Sequence, residues 1–163
     1  MTDIYKKAAM NILNEAHMYA VHHSGCTKVE VGSAISFGPV VDSAVFGANR
    51  TMPYNCKNRG CMRVEKYGDA SKQHRNPEDC RAVHSEIDAI SCAAKQGMST
   101  DGKTIFVTRY PCEACSRAIV AAGISHVVYG RQQECSDESL RIFREAGVEV
   151  YHMKEWDAPD ANY

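Results

Sequence analysis

His84-Ser85-Glu86 and Pro111-Cys112-Glu113-Ala114-Cys115 are the two runs of this 163-residue chain whose residue types and spacing could do chemistry. Imidazole nitrogen and thiolate sulfur are donors that zinc prefers, and a catalytic zinc takes three protein ligands and keeps its fourth tetrahedral position for water. His84, Cys112 and Cys115 are the candidate ligands. Cysteines three apart on a helix project from one face, and the positive end of a helix at its first turn favours thiolates. Glu86, two residues past the histidine, is near enough to reach the water yet turned away from the ligand direction, as a proton carrier must be. Singly these residues say little: a C-x-x-C can be a redox pair, although here Pro111 precedes it, and a His or Glu at a helix start is commonly a cap or a solvated charge. Together they point to a metal site that activates water.

Such a site needs two helix starts brought together. Val83, Ile87, Ile90 and Ala94 recur at steps of four and three before Gly97, which predicts a helix over 82–96 with that stripe facing the core. Pro111 suits the first turn of a second helix running to Gly123, and Lys103 to Thr108 is a strand between the two. Upstream, Ile4, Ala8, Ile12, Ala16 and Tyr19 mark an amphipathic helix from Asp3 to His22, and the apolar runs Val29–Phe37 and Val40–Gly47 flank Gly38-Pro39 as a hairpin. His126–Tyr129 is a further strand, Ser136–Ala146 a helix with Leu140 and Phe143 inward, and Val148–His152 a last strand. The order α-β-β-loop-α-β-α-β-α-β implies a sheet covered by helices. Residues 49–81 have no periodicity and are rich in Cys and basic residues, so something should pin them. Residues 153–163 read as a polar tail, and 1–163 as one domain.

Lys+Arg of 19 against Asp+Glu of 20 gives a net charge of −1, which supplies no general field for a long polyanion. Trp156 is the single tryptophan, so a stacking groove for single strands is not expected and nucleic acid is a poor candidate partner. The N-terminal stretch mixes Asp, Lys, Asn and His among its apolar residues and falls short of the roughly 18 needed for a membrane span. The expectation is a soluble cytoplasmic protein whose eight cysteines are thiols rather than disulfides.

Four stretches carry a family resemblance: the opening helix followed by CTKVEVGSAI, then GANRTMP, then HSEIDAI, and DGKTIFVTRYPCEACSRAIVAAGISHVVYG. H-x-E followed by P-C-x-x-C is the signature of zinc deaminases. Over roughly residues 1–152 the sequence is similar to the cytidine/deoxycytidylate deaminase family and resembles its deoxycytidylate (dCMP) members most. The resemblance implies a three-layer α/β/α fold around a five-stranded mixed sheet, a homo-oligomer that is often a hexamer, a small nucleotide or nucleoside as substrate, and release of ammonia from the 4-amino group of a pyrimidine. It implies the zinc ligands His84, Cys112 and Cys115, with Glu86 as base and then acid.

Asn49 falls where the family's G-Y-N segment contributes to sugar recognition, but Ala48 replaces the aromatic, and an Asn after a strand is also an ordinary turn former. Asp88 stands where the family pattern H-A-E-x-N-A has Asn. Four residues after His84, its carboxylate could orient the imidazole or line the substrate pocket, where it would repel a phosphate. Arg50, Lys95, Arg109 and Arg131 are the cations that could meet a 5′-phosphate, or simply solvated charges. Some relatives hold a second, structural zinc, for which Cys26, Cys56 and His74 fall near matching positions with Cys80 or Cys61 as a fourth ligand; the alternative is buried thiols. Competing functions are deamination of an unphosphorylated or modified nucleoside, and a non-catalytic zinc or nucleotide-binding module. The retained Glu86, which no structural zinc needs, argues against the last.

Overall fold

A computed structural model describes residues 3–38, 43–50, 55–68, 79–132 and 137–158. In chain order the described elements are α1 (Asp3–His23), β1 (Gly32–Ser36), β2 (Ala44–Ala48), α2 (Cys56–Arg59), α3 (Met62–Tyr67), α4 (Ser85–Lys95), β3 (Thr104–Arg109), α5 (Glu113–Ala121), β4 (His126–Arg131), α6 (Asp137–Glu145) and β5 (Glu149–His152). The strands form one mixed sheet in the order β2-β1-β3-β4-β5. β1 pairs antiparallel with β2, from Gly32 opposite Ala48 to Ser36 opposite Ala44, which is the expected hairpin with shorter strands. β1 also pairs antiparallel with β3, and β4 and β5 continue parallel.

Alternation along the strands divides the core in two. Ala34, Phe106 and Val128 face α1, where they meet Ile12, Leu13 and Ala16. Ile35, Ile105, Val107, Val127 and Tyr129 face the other way, against Ala89 and Ala93 of α4, Ile119 of α5 and Phe143 of α6. The result is the three-layer α/β/α arrangement with a five-stranded mixed sheet.

Two helices turn differently from their apolar spacing. The face that α4 buries is Ser85, Glu86, Ala89 and Ala93, while Val83 is 38% exposed and Ala94 is exposed. The reason is distance. A Cβ built on Gly47 of β2 would lie 2.3 Å from both the Ala89 nitrogen and the Ser85 carbonyl oxygen, so backbone meets backbone and only small side chains fit between. In α6, Leu140 points out at 50% exposed, because Ser139 and Phe143, four residues apart, take the inward face.

The aperiodic segment holds α2 and α3, of four and six residues, too short for a hydrophobic period to register. The end of α3 is tied down by Asp79, whose Oδ1 lies 2.8 Å from Lys66 Nζ while Oδ2 accepts from Tyr67 Oη at 2.7 Å. The polar tail is packed at its start: Met153, Trp156 and Ala158 are buried, and Trp156 donates through Nε1 to Asn14 Oδ1 at 2.9 Å. Its ring lies against Gly130, where a Cβ would come within 2.1 Å of it. Among the described residues no helix is long and apolar enough to cross a membrane.

Candidate active site

α4 and α5 start beside each other on the same side of the sheet. His84 is the N-cap of α4 and Cys112 the N-cap of α5, both in extended backbone, and Cys115 follows in the first turn of α5. Pro111 therefore precedes the cap instead of sitting inside the helix. The Cys112 and Cys115 sulfurs lie 3.4 and 3.3 Å from His84 Nδ1, and the three donor atoms are all within 4.8 Å of one another. Tetrahedral zinc places such atoms roughly 3.5–3.8 Å apart, so the donors stand close to ligating separation and their chemistry fits the ion.

The electrostatics agree. A hydrogen bond from the Cys115 thiol, joined by one from His84, outweighs burial and brings Cys112 down to about 4, so it is a thiolate at neutral pH. Donation to Cys112, then burial, pushes the Cys115 thiol up. His84 is raised chiefly by its bond to Cys112, while burial and the positive charge of Arg63 on α3 oppose the rise. A cation entering among these groups displaces the shared protons.

Glu86, on the same first turn as Ser85, is 4% exposed, and burial raises its pKa. Its Oε2 accepts from Ser85 Oγ at 3.1 Å, and Ser85 Oγ is 2.7 Å from Ser33 Oγ of β1. Neither serine stood out in the sequence. Ser85 lies visibly between His84 and Glu86, but its partner is 52 residues away. Arg63 was missed for a similar reason, since nothing in α3 announces its nearness to His84.

Asn49 is 6% exposed and spends its amide on backbone: Oδ1 accepts from Val31 N at 3.0 Å and Nδ2 donates to Val29 O at 2.7 Å. Asp88 has its own partners. Its Oδ2 accepts from Ala48 N at 3.0 Å and lies 2.7 Å from Arg50 Nε, so the carboxylate is held at the end of β2. The Arg50 guanidinium also bonds Tyr19 Oη and lies over that ring. Arg131 donates to Ala158 O at 2.9 Å, Arg109 is half-buried at the end of β3, and Lys95 is exposed at the far end of α4. Among the described residues His84, Cys112 and Cys115 are the one group of three ligating side chains that converges, and Cys26, Cys56 and Cys80 form no second one. His74 lies outside the described residues. Cys26, Cys61, Cys80, Cys92, Cys112 and Cys115 form no disulfide, in keeping with thiols.

Soft donors gathered at two helix starts, with a desolvated carboxylate between them and the sheet, are what hydrolysis of an amino group on a heterocyclic ring requires, and the class this fold and site define is that of the zinc-dependent deaminases. The chain belongs to the MafB19-like deaminase family, whose sequence pattern matches residues 6–156. It is 28% identical over 140 residues to ComE operon protein 2 of Bacillus subtilis, covering 86% of this chain and 68% of that one. It is 30% identical over 140 residues to the deoxycytidylate deaminase of Saccharomyces cerevisiae, covering 86% of this chain but only 43% of the yeast protein. The phage T4 deoxycytidylate deaminase is 32% identical over 98 residues, 51% of its length. The chain thus spans about half the length of these two deoxycytidylate deaminases. Among solved structures, the dCMP deaminase of cyanophage S-TIM5 in complex with dCMP and dUMP superposes with a TM-score of 0.67 at 25% identity, covering 93% of this chain and 98% of that one.

Proposed function

We propose that this chain catalyses the zinc-dependent hydrolytic deamination of a cytosine nucleotide, dCMP to dUMP and ammonia. The observation that carries the reading is the convergence of His84, Cys112 and Cys115 beside the buried Glu86. The likeness to a dCMP deaminase bound to its nucleotides supports the choice of base and sugar.

His84, Cys112 and Cys115 would hold a zinc ion, which when bound would supply a Lewis acid able to lower the pKa of water to about 7. Glu86, desolvated and so more basic than a carboxylate in water, takes a proton from the attacking water and places one on ring N3. It then passes a proton to the departing amine. The water oxygen stays on C4, the C4–N bond breaks, and nitrogen leaves as ammonia. Asn49, with one amide hydrogen beyond its Val29 bond, serves the sugar hydroxyl in this reading.

Arg50 bears on the phosphate. By pairing with Asp88 it leaves the end of β2 locally neutral, which lifts the repulsion that an isolated carboxylate would exert on a nucleotide. Asp88 in place of Asn favours a second reading, an unphosphorylated or modified nucleoside. Incubating the zinc-loaded protein with dCMP, deoxycytidine, cytidine and aminopurine nucleotides and measuring ammonia decides between them. A higher kcat/KM on dCMP supports the nucleotide, a preference for deoxycytidine overturns it, and no ammonia from any substrate overturns the deaminase.

The reading includes a cytoplasmic homo-oligomer, a hexamer by family resemblance, which light scattering tests. A second zinc on Cys26, Cys56, His74 and Cys80 draws support from one contact, Lys57 N donating to Gly25 O at 3.3 Å, which sets the Cys26 and Cys56 segments side by side. Two zincs per chain would uphold it and one would remove it.

A further inference from the structure

We propose that Ser85, backed by Ser33, is a positioning residue that fixes the Glu86 carboxylate for proton transfer; this rests on the deaminase reading above. Ser33 on β1 and Ser85 on the first turn of α4 are both 0% exposed, and their hydroxyls are 2.7 Å apart across the seam between sheet and helix. The direction of the chain follows from counting hydrogens. An ionised carboxylate only accepts, so the single hydroxyl hydrogen of Ser85 goes to Glu86 Oε2 at 3.1 Å. Ser85 then has only lone pairs to offer, and Ser33 must donate to it. Two hydroxyls in series, running from the sheet to the helix, end on the base.

A buried hydroxyl costs free energy unless it is bonded, and both serines are fully buried. Two alanines would fill this seam without any polar group to satisfy, and the pattern of the resembling enzymes, H-A-E, has one at position 85. What the serines add is a hold on one carboxylate oxygen. Glu86 has three side-chain torsions to fix and serves three sites in turn: the water, N3 and the leaving amine. With Oε2 anchored, the other oxygen makes the transfers from one place.

The test compares the zinc-loaded protein with its Ser85→Ala, Ser33→Ala and doubly substituted variants for kcat and KM on dCMP, together with zinc content, melting temperature and crystal structures of the first two proteins. Ser85→Ala is expected to keep its zinc and fold, hold KM and lose about tenfold in kcat, the scale of one hydrogen bond to a charged group. Ser33→Ala should lose less, and nothing further once Ser85 is gone, since Ser33 acts only through it. In the crystal the Glu86 carboxylate should leave its place in Ser85→Ala. An unchanged kcat, independent losses from the two serines, or a carboxylate that stays put would each overturn the proposal. If the parent protein releases no ammonia, the deaminase reading fails by itself, and the crystal structures still decide whether Ser85 positions Glu86.

Discussion

The backbone carbonyl of Arg50 accepts the amide hydrogen of Val83 at 2.7 Å, an isolated antiparallel bridge one residue before His84. The side chain of the same arginine reaches Asp88, four residues after His84. One residue at the end of β2 therefore braces the turn that presents the imidazole from both sides. Arg50→Ala should leave Asp88, whose side chain is 14% exposed, with the Ala48 amide as its remaining partner. The expected loss is about 1–3 kcal/mol in urea unfolding, with weaker zinc binding, and Arg50→Lys should restore only part because it lacks the guanidinium fork. Stability and zinc affinity equal to the parent protein would show that the backbone bridge alone suffices.

Glu86→Gln should keep one zinc per site and lose about 10²- to 10⁴-fold in kcat, the usual contribution of a positioned acid and base. Metal analysis and steady-state kinetics on the same preparation check both halves. Turnover at the parent rate would remove Glu86 from the chemistry.

Cys112→Ala should lose the metal and with it all turnover, since it removes the thiolate on which the Cys115 and His84 protons are shared. Dialysis against a chelator should do the same to the parent protein, reversibly on adding zinc. Full zinc occupancy in Cys112→Ala would mean that the ion is held elsewhere.

Without zinc, the contribution of Glu86 to stability should fall as pH rises. Burial raises Glu86 from its ordinary value of 4.5, so the folded chain keeps this proton to a higher pH than the unfolded chain does. The stabilisation is complete below the ordinary value and is lost as pH climbs through the folded one. Chelated Glu86→Gln lacks this contribution, so its urea midpoint should gain on that of the parent protein as pH rises above 4.5. Parallel curves would contradict it.

Gly47→Ala should destabilise by about 3 kcal/mol and cut zinc occupancy, because the new methyl would meet the backbone of Ser85 and Ala89 and lift α4 from the sheet. Thermal unfolding and metal content measure this, and a neutral outcome would mean the seam can open at no cost.

The ligands and the order of the elements were legible in the sequence because they are local. Zinc selects nitrogen and sulfur whatever surrounds them, and a three-residue spacing on a helix start needs no knowledge of the rest of the fold. The inward face of α4 was hidden, since its isoleucines obey the helical period better than the alanines that are buried, and only the close approach of Gly47 explains the choice. The Ser33–Ser85 and Arg50–Asp88 pairs were equally out of reach, each joining residues that only the register of β1, β2 and α4 brings together. Trp156 illustrates the same limit, since the hollow it fills is a glycine on β4.

His84 and Cys112 cap their helices and do not ride along them. The reaction is thus rooted where two helices leave the sheet, and the shafts above are spared from it. Ala94, exposed two turns beyond the buried Glu86 on α4, is at liberty to change over evolutionary time without disturbing the machinery at the base.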